Sequence, residues 1–168
     1  MKLTKVERLI LANQFRILKE SNPQDNHLRR AEVLENGFES LYEEEVFGTI
    51  FDSMKEEEGT FVVDVLSMYR GLHDSYLKLK DKGDLTVEDI KFLGFDGNEE
   101  DKHFSFTNFF IKDMERFAEI DELCEGYFNS HSAKIPTYRR MLEKWVLIEP
   151  VERHEMTIDQ IRGLINTH

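Results

Sequence analysis

The stretch SMKEEEGTFVVDVLSMYRGLHDSYLKLK, residues 53–80, decides the fold. Its apolar positions Phe61, Val65, Leu66, Tyr69, Leu72, Tyr76 and Leu79 recur at spacings of three and four, with His73 on the same stripe. That is the repeat of one helix face. The β-branched residues of 61–66 would suit a strand, but no period of two is present and the pattern runs on into helical spacing. Ser53-Met54-Lys55-Glu56 reads as a capping box at its start. Lys78, Lys80 and Lys82 collect at its end, where positive charge suits the helix dipole, and Gly83 follows as a stop. The spacing predicts one long helix, the longest of the chain.

The same signals recur on either side. Thr4-Lys5-Val6-Glu7 is a capping box for a first helix reaching about Lys19. A second helix is expected from Pro23 to Asn36, stopped by Gly37, and a third from Phe38 to Asp52 on Leu41, Tyr42, Val46 and Ile50. Thr86 caps a short helix over Val87 to Phe92. Residues 99–120 place Phe106, Phe110, Met114 and Phe117 on one aromatic stripe, and Asp121 to Lys134 reads as a loop. A helix begins near Pro136 with Met141, Leu142 and Trp145, and Thr157-Ile158-Asp159-Gln160 caps the last one. The expectation is an all-α fold, a compact single-domain bundle of about six to eight helices over residues 1–168, with 149–155 as a hinge around Pro150 before the C-terminal helix.

Composition sets the bounds. The chain has 168 residues, 40% of them hydrophobic, with 13 phenylalanines and a net charge of −12. That apolar content supports one packed core, and the acidic balance opposes nucleic acid and anionic membranes over most of the surface. Cys124 is the single cysteine, which excludes an intramolecular disulfide or a thiolate zinc cluster and suits a reducing compartment. The N-terminal stretch carries Glu7, Arg8, Asn13 and Gln14 among its apolar residues, unlike a signal peptide or a spanning helix. A cytoplasmic location is expected, without membrane association.

Two helices are more apolar than one buried face requires. In the first, Val6, Ile10 and Ile17 form one stripe while Leu11, Phe15 and Leu18 form another, so two surfaces need cover. In the long helix, Phe61, Met68 and Leu72 lie beside the row through Val62, Tyr69 and Tyr76. Either such a helix is central or a second copy covers it, and a homo-oligomer, with a dimer favoured, is expected through Val6, Ile10, Leu11, Phe15 and Leu18.

Candidate chemistry is thin. FLGFDGNEE, residues 92–100, resembles an oxygen-rich metal loop, but counting from Asp96 puts Asp101 where a calcium loop needs glycine and Thr107 where it needs glutamate. The reading that uses every residue is a turn in which Asp96 or Asn98 caps the next helix and Glu99, Glu100 and Asp101 meet its positive end. His73 lies between Tyr69 and Tyr76 at helical spacing, so Tyr69, His73 and Tyr76 form a candidate ligand-binding pocket; the alternative is a hydrogen-bonded core histidine, and His103 reads likewise. Cys124 with His131 would make a thiolate and base only if the fold joined them. No metal-ligand spacing, Walker loop, GxSxG or GxGxxG occurs, and no catalytic residue, cofactor or metal is assigned. Arg29-Arg30 and Arg139-Arg140 with Lys144 are read as helix ion pairs, for instance Arg139 with Glu143, more readily than as a phosphate site.

Three stretches taken together, LTKVERLILANQF, FLGFDG and YRRMLEKW, with VVDVLSMYRGLH between them, resemble the YfbU family in order and spacing across nearly the whole chain. The resemblance implies a compact α-helical bacterial cytosolic protein and brings no agreed catalytic residues with it. It also implies that some longer relatives carry an amino-terminal arm resembling a ribbon-helix-helix segment; this sequence shows none, so no direct nucleic-acid role is expected of this chain alone. The function expected is a self-associating protein-interaction or regulatory module, the alternatives being a small-molecule binder or small enzyme at Tyr69, His73 and Tyr76, or a nucleic-acid-associated regulator.

Overall fold

A computed structural model describes residues 2–23, 25–48, 50 and 53–166. Among them it contains seven α-helices and four short 3-10 or π turns; the nearest approach to a sheet is an isolated bridge between Phe95 and Asn129. The all-α expectation therefore holds, with a helix count inside the expected range. The chain divides into two units, residues 1–53 and 54–168.

The first unit is a helical hairpin. Helix α1, Lys5–Ser21, starts where Thr4 Oγ1 accepts from the Glu7 amide and the Glu7 carboxylate accepts from the Thr4 amide at 2.7 Å, the capping box read from sequence. Helix α2, His27–Asn36, begins later than Pro23 and ends at Gly37 as expected, with the Gly37 and Phe38 amides donating back to Leu34 and Val33. The two helices run antiparallel: Arg8 donates to the Leu34 carbonyl near one end, Phe15 stacks on His27 near the other, and Arg16 pairs with Glu35 at 2.8 Å. Ala12, Ala31, Leu34 and Tyr42 close the core.

The expected third helix is not continuous. Residues 39–46 form a 3-10 turn, Glu39–Leu41, and a π turn, Tyr42–Val46. Glu39 and Glu43 are like charges at i, i+4, and Gly48 follows, so little favours a longer helix. Ile50 is exposed, and the expected end at Asp52 lies outside the described residues.

The second unit is built on α3, Glu56–Lys78, which is the longest helix, as expected. Its cap differs from the expectation: the chain enters at Lys55, whose amide donates to Glu58 at 2.8 Å, so the capping contact sits two residues beyond Ser53. Val62, Val65, Leu66, Met68, Tyr69 and Leu72 are all buried, because the helices that follow in this unit pack around α3 and cover both of its apolar rows, with Phe61 and Tyr76 half-buried at their margins. The expected Thr86 cap and helix are not formed: Thr86 donates its amide and hydroxyl to the Asp89 carboxylate, and only a single 3-10 turn, Glu88–Ile90, follows, entered from Val87 without a side-chain cap.

Helix α4, Asp101–Asn108, gives way to a π turn, Phe109–Asp113, and the chain then reverses through left-handed residues Glu115 and Phe117 into α5, Ala118–Cys124. This breaks the expected 99–120 stripe: Phe106 stacks on Phe110 and Phe117 is buried, but Met114 faces solvent. It also turns part of the expected 121–134 loop into helix. Helices α6, Ile135–Trp145, and α7, Ile158–Ile165, follow their sequence signals, and α7 carries the Thr157–Gln160 capping box.

Candidate functional site

The FLGFDGNEE segment is the structural junction of the second unit. Asp96 Oδ1 accepts from the Asn98 amide at 2.7 Å and the Glu99 amide at 3.0 Å, and these two donors, Glu99 first, hold the Asp96 carboxyl below its ordinary value. Glu100 is buried and divided between two tasks. Its Oε2 accepts from the Asp96 amide at 3.0 Å, while its Oε1 accepts from the Lys134 and Ile135 amides at 2.7 and 2.8 Å, the first turn of α6. Gly94 is left-handed, and a Cβ there would lie 1.9 Å from the Phe128 carbonyl oxygen, so only glycine lets the two chains meet in the Phe95 bridge. Tyr138 reaches back from α6 to donate to the Gly94 carbonyl at 2.8 Å. The segment is a turn, as expected, but Asp96 closes the turn itself and does not cap the next helix: α4 starts from Glu100 without a side-chain cap, and the Glu100 carboxylate serves the start of α6, a link that local spacing does not reveal.

Tyr69, His73 and Tyr76 go to different surroundings. Tyr69 is in the aromatic core, edge-on to Tyr138 at 5.8 Å and tilted on Phe92 at 5.2 Å, its hydroxyl 3.9 Å from Met141 Sδ. Burial pushes the Tyr69 hydroxyl well above its ordinary pKa. Tyr76 is half-buried beneath the Lys82 ammonium. His73 is half-buried too, its Nδ1 enclosed without a partner, and no hydrogen bond joins it to either tyrosine among the described residues. His103 lies against Phe61 and Phe95, and burial lowers its pKa.

Cys124 and His131 are not brought together. The Cys124 thiol is buried, donates to the Phe92 carbonyl and is pushed up by burial to about 11, whereas His131 is exposed and bonded to the Tyr127 hydroxyl. Among the described residues no group of three or more His, Cys, Asp or Glu side chains could hold a metal ion. Nor is any described helix long and apolar enough to cross a membrane.

The basic pairs find other uses. Arg29 pairs with Glu45 at 2.6 Å and Arg30 lies over Phe15. The expected Arg139–Glu143 pair is absent among the described residues; Arg139 instead lies 5.4 Å from the Phe61 ring centre.

Two surfaces stand out. On α1 the two apolar stripes part: Leu11 and Phe15 pack into the core of the hairpin, while Val6, Leu9, Ile10 and Ile17 stay 65, 60, 54 and 64% exposed and Leu18 44%. Of the expected contact residues, Val6, Ile10 and Leu18 therefore face out, and Leu9 and Ile17 join them.

The second is a cleft of about 410 Å3 in the other unit that sequence reasoning missed. One wall is Asp64, Ser67 and Arg70, successive turns of α3; the other is Leu142, Trp145 and Val146 at the end of α6, with Pro150, Arg153 and His154 beyond. Gly71 permits the approach, since a Cβ there would come within 2.3 Å of the Trp145 ring and 2.5 Å of the Arg153 carbonyl. The 149–156 segment is held along α3 by His154 with Asp74 at 2.8 Å, Met156 with Ser75 at 3.0 Å and Lys78 with Glu155 at 3.0 Å. Arg153 donates to the Ile148 carbonyl at 3.0 Å and stacks over Trp145 at 5.2 Å. The polar spacing 64, 67, 70 within the otherwise apolar stretch 61–72 was the available signal.

These observations define an all-α protein of two helical units, one with an open apolar helix face and one with a polar-walled cleft. A model of the YfbU domain matches residues 1–167, and the chain belongs to the YfbU family. It is similar to the UPF0304 protein MJECS11 of Methanocaldococcus jannaschii, 39% identical over 148 residues, or 85% of this chain and 87% of that protein. With an archaeal relative this similar, membership does not by itself mark the source as bacterial.

Proposed function

We propose that the chain is a cytoplasmic, non-enzymatic protein-interaction module of regulatory type that pairs with a second copy of itself through the outer face of α1. The observation that carries this reading is the row Val6, Leu9, Ile10 and Ile17, each more than half exposed on a helix whose other face is already used. Four large aliphatic side chains on one open helix face form the kind of surface that protein contacts cover. A second copy fits because the row is self-complementary. In an antiparallel two-fold pair centred on Asn13, Leu9 meets the partner's Ile17 and Asn13 meets its own copy. A lone Asn within an apolar seam sets register in this manner.

The test is the solution mass by size exclusion with light scattering at tens of micromolar. A dimer is expected for the parent chain, and Ile17→Glu, which puts a carboxylate opposite Leu9, shifts it to monomer. A strictly monomeric parent, or an I17E variant that still dimerises, refutes the reading.

A further inference from the structure

We propose that the cleft between α3 and the end of α6 binds a small organic oxyanion, a carboxylate or phosphate monoester with a planar apolar body. The charge pattern points there first. In a chain with 34 acidic and 22 basic residues, Arg153 pairs with no carboxylate among the described residues. Two backbone carbonyls and the Trp145 face hold its guanidinium in place, which fixes its orientation and leaves its charge uncompensated. A guanidinium placed in advance loses little freedom on gripping an oxyanion through paired N–H groups.

The facing wall supplies matching donors. Arg70 spends its Nε on Glu119 and rests on Phe117 at 4.0 Å, and its two terminal nitrogens have no partner among the described residues. The Ser67 hydroxyl, one turn earlier on α3, is likewise without a partner there. Leu142, Trp145, Val146 and Pro150 provide the apolar contact for the rest of the molecule. Asp64 is the one carboxylate of the lining and sits about 9 Å along α3 from Arg70, by the rise of six helical residues, so its repulsion of an anion is weaker at Arg70, whose own charge is partly offset by Glu119 outside the lining. The volume of about 410 Å3 suits a small metabolite.

Trp145 is the only tryptophan of the chain and lies in the cleft, so its fluorescence reports occupancy directly. The full chain is titrated with phenyl phosphate and with benzoate, and with benzylamine and phenol as cationic and neutral counterparts of the same body; melting temperature is the second readout. A saturable change with either anion, weakened by added salt and much smaller with benzylamine and phenol, is the expected result, and the stronger of the two anions distinguishes phosphate from carboxylate. Ser67→Glu adds a negative charge to the wall without touching either arginine and is expected to weaken binding by about tenfold or more, while Ser67→Ala weakens it by only a few-fold. The proposal is overturned if neither anion moves the emission or the melting temperature, if benzylamine binds as well as benzoate, or if S67E binds like the parent.

Discussion

Replacing Glu100 by alanine removes the acceptor for three backbone amides at once: Asp96 at 3.0 Å, Lys134 at 2.7 Å and Ile135 at 2.8 Å. The Asp96 amide is buried, so leaving it unpaired costs about 2 kcal/mol, and the two partly buried amides of α6 cost about 1 kcal/mol each. Loss of a negative charge at the start of α6 adds about 0.5 kcal/mol. The sum is about 3–5 kcal/mol, a large share of the stability of an ordinary domain. Glu100→Gln separates the components. Its single oxygen can still serve Lys134 and Ile135, but its NH2 then faces the Asp96 N–H, donor against donor, for a cost of about 2–3 kcal/mol. Urea denaturation at neutral pH, followed by circular dichroism and Trp145 emission, measures both variants, and amide exchange at Lys134 and Ile135 locates the loss. If E100A costs less than about 1 kcal/mol, or E100Q costs as much as E100A, the assignment of Glu100 as a shared cap is wrong.

Two further perturbations follow from the same geometry. Gly71→Ala drives a methyl into the Trp145 ring and the Arg153 carbonyl, and is expected to cost about 1–3 kcal/mol with a shift in Trp145 emission; an unchanged melting temperature means α3 and α6 are not in that contact. His103, desolvated beside Phe61 and Phe95, titrates below its ordinary value of 6.5, so the folded state holds fewer protons there than the unfolded one. Its contribution is therefore intact above pH 6.5 and is lost as the pH falls through that value to the folded pKa; an NMR midpoint for His103 at or above 6.5 contradicts this.

The sequence by itself determined whatever depends on neighbours within one helical turn. The boxes at Thr4 and Thr157, the stop at Gly37, the helical repeat of α3 and the two apolar stripes of α1 all rest on residues three or four apart, where side chain and backbone meet whatever else the chain does. The tertiary structure alone decided which stripe was covered. Periodicity marks a face as apolar, but only the placement of α2 shows that Leu11 and Phe15 are used while Val6 and Ile17 are not. It also decided where periodicity fails, as at the left-handed residues Glu115 and Phe117, whose backbone reversal no spacing encodes. The contacts that build the cleft and junction are of this kind. Glu100 caps a helix 34 residues away, and Gly71 admits Trp145 from a separate helix. Such pairs share no local geometry, so they exist only once packing has brought distant segments together.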